Sequence, residues 1–211
     1  MRPWQIPRPA WGSQRLYRAT YSGPEGEGAL RVTLRLAAPG RYQIQAVDPV
    51  GRALWSLDVA DGEGLTIDHR RRSYCTFTGR FAASATPLGP FPLLSLPALL
   101  LGRVPAEPAQ PDQVPTAGDL SFRDAAGRQW AAQIDAAGAV VSWTLSRGDV
   151  PSVWWRRHDD WSILSDRERG VQVRWREVLR EDLSIQPGRL APPSGFRKTP
   201  CGEAEPPDGG D

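Results

Sequence analysis

Residues Arg41–Ala60, RYQIQAVDPVGRALWSLDVA, carry two alternations of apolar and polar side chains around Asp48-Pro49-Val50-Gly51. Tyr42, Ile44 and Ala46 alternate with Arg41, Gln43 and Gln45, and Ala53, Trp55, Leu57 and Val59 repeat the pattern on the return. A period of two belongs to a strand with one buried face, because successive side chains point to opposite sides. Asp first, Pro second and Gly fourth predict a type I turn, since Pro presets φ and the Asp carboxylate accepts from the backbone ahead of it. The stretch therefore reads as a β-hairpin. Val50 stands at its tip, where Gly, Asn or Asp hydrate better, so it is either buried by something or used on something.

The same alternation recurs along the chain. Arg15–Ser22 sets Leu16, Arg18 and Thr20 against Tyr17, Ala19 and Tyr21; Ala29–Ala37 sets Leu30, Val32, Leu34 and Leu36 against Arg31, Thr33 and Arg35. Further strands are predicted at Leu65–His69, Ser73–Gly79, Leu120–Asp124, Gln129–Ile134, Val140–Ser146, Val153–Arg157, Trp161–Leu164 and Val171–Leu179, with Asp- and Gly-rich turns between several of them. Arg70, Arg71 and Arg72 fall in one such turn, as a solvated loop or as a contact for head groups or phosphate.

Pro87–Gly102, PLGPFPLLSLPALLLG, breaks the pattern. Leu93–Leu101 has no charge and no polar face. Ser95 and Pro97 suit a helix start, and Gly102 suits its C-terminal cap. The run is too short to span a bilayer, and a helix apolar on every side must be enclosed. It is expected to be a movable cover rather than a fixed core element. The fold class that follows is mainly β with few helices: a single antiparallel, strongly curved open barrel covered by a short apolar helix. The expected organisation is an irregular arm over 1–13, the barrel over 14–186 and a disordered Pro-, Gly- and acid-rich tail over 187–211.

The expected inward set is Leu30, Val32, Leu34, Leu36, Tyr42, Ile44, Trp55, Leu57, Leu65, Ile67, Phe77, Leu96, Leu99 and Leu100. A formal net charge of +2 over 211 residues argues against a nucleic-acid partner. Nine Trp imply either a large apolar interior or a ligand-lined cavity. Cys75 and Cys201 are the only cysteines. One disulfide is open to them in an oxidising compartment, but two unrelated thiols is the preferred reading. No zinc spacing, phosphate loop or nucleophile elbow occurs, and His158-Asp159-Asp160 falls in a turn whose side chains diverge. No enzymatic activity, metal or cofactor is expected.

The DPVG-tipped hairpin, the strands ending near Tyr74, the segment LLSLPALLLGRVP and the later Trp-bearing strands resemble the LolA/LolB-like lipoprotein localisation factors, LolB-type outer-membrane receptors above all. The resemblance covers Tyr17–Ile185. It implies a half-barrel whose apolar cavity takes acyl chains, lined here by Leu34, Leu36, Tyr42, Ile44, Trp55, Leu57, Ile67, Phe77, Leu96, Leu99, Leu100, Trp143 and Trp175. Pro49, Val50 and Gly51 match by position the family's exposed apolar loop, which meets a membrane or partner. The implied function is a periplasmic carrier or receptor that hands lipidated proteins to the outer membrane, with a LolA-type carrier among its partners. The alternative is an envelope scaffold that binds a protein and no lipid. No Cys precedes Cys75, so outer-membrane attachment would need a lipobox upstream of the written start.

Overall fold

The computed structural model describes residues 2–7, 10–24, 26–78, 95–110, 118–148, 150–183 and 188–201. Among them one sheet of thirteen strands forms. Its first half comprises β1 (Ser13–Gly23), β2 (Gly26–Ala38), β3 (Arg41–Val47), β4 (Ala53–Ala60), β5 (Glu63–Asp68) and β6 (Ser73–Thr78). Its second half comprises β7 (Gly118–Arg123), β8 (Gln129–Ile134), β9 (Val140–Arg147), β10 (Val150–His158), β11 (Trp161–Asp166) and β12 (Val171–Asp182), followed by the short β13 (Arg197–Lys198). A single helix, α1 (Leu96–Leu100), lies among the described residues.

The spatial order is β13-β6-β5-β4-β3-β2-β1-β12-β11-β10-β9-β8-β7. Two meanders are thus joined through β1 and β12, and the edge strands β13 and β7 do not pair, so the sheet is not closed. Neighbours pair antiparallel except β13 with β6. The connection carrying α1 runs from β6 at one side of the sheet to β7 at the far edge. Helix cover is therefore minimal.

The turn at the β3–β4 tip is built as expected. The Gly51 N–H donates to the Asp48 carbonyl at 3.0 Å, and Asp48 Oδ1 accepts from the N–H of Val50 and of Arg52. Gly51 sits at φ 92°, a left-handed conformation that favours glycine. The same D-x-x-G loop recurs at Asp124–Gly127 and Asp135–Gly138, where the aspartate carbonyl and Oδ1 accept in the same way.

Register assigns the faces. Directly opposed residues in an antiparallel pair share a face. Leu34 opposes Ile44, and Ile44 opposes Leu57. These, with Leu30, Val32, Leu36, Tyr42, Trp55, Phe77, Leu96, Leu99 and Leu100, belong to one buried cluster. Leu65 and Ile67 do not join it. They oppose Asp58 and Ser56, so they point to the other face, although both are buried. Alternation in Leu65–His69 was read correctly, but it was assigned to the wrong side. The inner positions of β5 are Gly64 and Thr66. Gly64 is needed there because a Cβ would overlap the Phe77 ring across the strand pair.

Residues 188–201 correct the expectation of a disordered tail; residues 202–211 lie outside the described set. Asp58, only 3% exposed on the outer face, accepts from Arg189 Nε at 2.8 Å and from the Leu190 N–H at 3.0 Å. Gln43 Nε2 donates to the Gly188 carbonyl at 2.6 Å. β13 then runs parallel to β6, and Cys201 is disulfide-bonded to Cys75. The preference for two unrelated thiols is overturned. Spacing alone could not show it, because 126 residues separate the pair.

Candidate functional site

On the inner face, residues of both meanders and of α1 belong to one buried cluster. Helix residues Leu96, Leu99 and Leu100 are at most 4% exposed. Pro97 opens the helix, and the backbone closes it as a Schellman motif. The Gly102 N–H donates to the Leu99 carbonyl and the Arg103 N–H to the Ala98 carbonyl, with Gly102 at φ 67°. Gly102 thus caps the helix as its sequence position indicates. Leu93, the start of the expected cover, lies outside the described residues.

On the second meander an aromatic ladder crosses four strands. Phe122, Trp130, Trp143 and Trp155 follow one another with ring centroids 6.4, 5.4 and 6.2 Å apart. Trp4 of the N-terminal arm extends it against Phe122 at 5.9 Å. Trp143 and Trp175, both named from sequence, belong to the same cluster. Trp130, Trp155 and Phe122 were missed, although Trp130 alternates with Ala132 and Ile134 in the expected way. Trp130 Nε1 donates to Asp124 Oδ2 at 2.9 Å. Burial opposes ionisation of Asp124, but that donor, the Arg128 N–H and the Arg128 guanidinium outweigh it and hold the carboxyl below its ordinary value. Trp155 and Trp175 differ, since their indole N–H groups find no acceptor among the described residues.

One end of this face is polar. Arg15 opposes Leu34, so it points inward, and its Nη1 pairs with Glu177 at 2.6 Å. Burial, then the Glu177 charge, pushes the neighbouring Tyr17 hydroxyl pKa upward.

The β3–β4 tip stands at the opposite end. Val50 is 78% exposed between Pro49 and Gly51, both also exposed. Arg52 Nε pairs with Asp48 Oδ2 at 2.6 Å, bracing the base of the loop. The β5–β6 turn lies beside it, tied by the His69 N–H to the Leu54 carbonyl, and presents Arg70, Arg71 and Arg72 to solvent. The β9–β10 turn falls at this same end, with Val150 65% exposed. The tip and the inward set are therefore joined through β3 and β4.

Two open surface grooves, of about 480 and 460 Å³, lie apart from the bulk of the expected lining. The first is bounded by β1, β2 and β12 residues such as Thr20 and Arg174; the second runs between β5, β6 and the tail and touches Leu65 and Phe77. His158 Nδ1 lies 3.1 Å from the carboxylate of its neighbour Asp159 on the surface. Among the described residues no three potential metal ligands gather, and no helix is long and apolar enough to cross a membrane.

No protein-family model matches the chain, and no curated protein does. Solved structures do. A LolA superfamily protein from Nitrosomonas europaea superposes with a TM-score of 0.56 at 7% identity, covering 86% of this chain and 90% of that one. A DUF1329 family protein from Desulfovibrio piger gives 0.54 at 6% identity, covering 82% and 87%. An outer membrane lipoprotein-sorting protein domain from Vibrio parahaemolyticus gives 0.50 at 8% identity, covering 84% and 88%. The likeness is one of fold, and it agrees with the LolA/LolB-like pattern read from the sequence.

Proposed function

We propose that this chain, whose fold is that of LolA superfamily and lipoprotein-sorting proteins, is a non-enzymatic carrier or receptor for acyl chains borne by lipidated proteins. The observation that carries the reading is a continuous apolar inner face covered by a five-residue helix without a polar side. In this reading the sheet curls into a half-barrel around α1, as a sheet of so many strands must curl, split or flatten. The helix is a movable cover. When it moves, Leu34, Leu36, Tyr42, Ile44, Trp55, Leu57, Phe77, Trp143 and Trp175 line the space it leaves. Ile67 drops out of the proposed lining because it points to the other face. The indole N–H groups of Trp155 and Trp175, without an acceptor among the described residues, supply donors for an acyl ester carbonyl.

Val50, with Pro49 and Gly51, presents the loaded protein to the outer-membrane surface or to a LolA-type partner. A periplasmic location fits the Cys75–Cys201 bond, since such bonds persist in oxidising compartments. Close packing of the Trp ladder favours a second reading, an envelope scaffold whose interior stays filled. Two measurements separate them. A carrier copurifies with acyl lipids by mass spectrometry, and a disulfide engineered between α1 and the sheet blocks uptake of a fluorescent fatty acid until it is reduced. No bound lipid and no uptake in either redox state would leave the scaffold.

A further inference from the structure

We infer that the inner face carries a head-group site for an anionic long-chain amphiphile at the C-terminal end of α1, built from Trp155 and Arg157. The inference rests on the carrier reading. Arg157 opposes Ser162, which opposes Trp175, so Arg157 projects to the inner side. Its guanidinium lies over the Trp155 ring at 5.9 Å. Its Nη2 comes within 2.6 Å of the point where a Cβ would stand on Gly102. The Cζ2 and Cη2 atoms of Trp155 lie 3.3 and 3.4 Å from that same point. The indole nitrogen adjoins this ring edge by covalent geometry.

Trp155 is 1% exposed, and its N–H has no acceptor among the described residues. Arg157 is exposed and forms no ion pair among them. A buried donor and an exposed guanidinium group thus meet beside Gly102, where a Cβ would run into both side chains. An oxygen anion complements both, and the leucines of α1 beside them call for an alkyl chain on the same molecule. Carboxylate and phosphate monoester heads share this chemistry.

The test measures binding of palmitate, lysophosphatidic acid and hexadecanol to the intact, oxidised protein and to Arg157→Gln, Arg157→Lys and Trp155→Phe variants. In the wild type the anionic ligands should bind roughly tenfold to a hundredfold more tightly than hexadecanol, the range for a hydrogen-bonded charge. Arg157→Gln should erase that preference while hexadecanol binding stays, and Arg157→Lys should restore part of it. Trp155→Phe should weaken the anions without abolishing chain binding. Whichever anion shows the larger preference identifies the head. Equal affinity for acid and alcohol in the wild type, or an unchanged ratio in Arg157→Gln, overturns the head-group site and leaves the carrier reading standing. Should Arg157→Gln fail to fold, loss of the wild-type preference at high salt is expected, and a salt-independent preference overturns the site. If no amphiphile binds, both fall.

Discussion

Replacing Cys75 and Cys201 by serine tests the tail strap. The bond closes a loop of 126 residues. The chain-entropy relation gives about 16 cal/mol/K for such a loop, or about 5 kcal/mol at room temperature, as an upper bound. Measured values commonly fall to about 2–4 kcal/mol, because the open form keeps some structure. The lower range is expected here, since Asp58 still holds Arg189 and Leu190, and β13 still pairs with β6. At roughly 2–4 °C per kcal/mol for a chain of this size, the thermal midpoint should fall by roughly 5–15 °C. Circular dichroism on the oxidised protein measures this, and limited proteolysis should show earlier cutting within residues 188–201. Two titratable thiols in the native wild type, or a double variant within about 0.5 kcal/mol of it, would refute the reasoning.

Val50→Glu should leave stability within about 0.5 kcal/mol and acyl uptake intact, yet slow transfer of bound lipid into liposomes; transfer at the wild-type rate makes Val50 only a turn residue. Asp124→Ala should cost about 2–3 kcal/mol in denaturant titration, since it strands the buried Trp130 N–H and frees Arg128. The Asp124 carboxyl is held below its ordinary 3.8, so its contribution is complete above that pH and drains as pH falls through the lower, folded value. Asp124→Asn should accordingly flatten the acid limb of stability below about pH 4. Gly64→Val should cost about 1–3 kcal/mol by driving a side chain into Phe77, and Phe77→Ala in the same chain should recover part of its steric component.

The strands were legible because each carries its own alternation, and the DPVG turn because Asp, Pro and Gly each have a separate reason to be where they are. Facing was legible only where one side of a strand is polar. In β4, Ser56 and Asp58 are as buried as Leu57 and Val59, because the tail covers the outer side. Alternation in β5 could then say that Leu65 and Ile67 belong together, but not to which side. The tail was illegible for a related reason. It is held by Asp58 and Gln43, a short parallel pairing and a disulfide rather than by an apolar stripe, and composition does not report such ties. The Trp ladder was half legible: each Trp alternates correctly within its strand, but stacking across β7–β10 depends on a register that only pairing supplies.

Energy limits how α1 can act as a cover. Leu96, Leu99 and Leu100 are at most 4% exposed, and returning three such side chains to water costs roughly 5–9 kcal/mol. Left to itself the helix would open in roughly one molecule in five thousand or fewer, so an empty open carrier is not a populated state. A ligand can offset the cost by filling the space. Each buried methylene contributes about 0.8 kcal/mol, so roughly six to eleven are consumed in displacing the helix. Chains of about ten carbons should therefore bind at millimolar concentration or weaker, whereas palmitate gains about 5 kcal/mol over them. The two steps also leave a kinetic mark. If opening precedes binding, the observed association rate should level off at the opening rate as ligand concentration rises. Decanoate binding in the micromolar range would mean that no leucine had to be uncovered. The chain would then lie in a preformed space away from α1, and the cover would have to be given up.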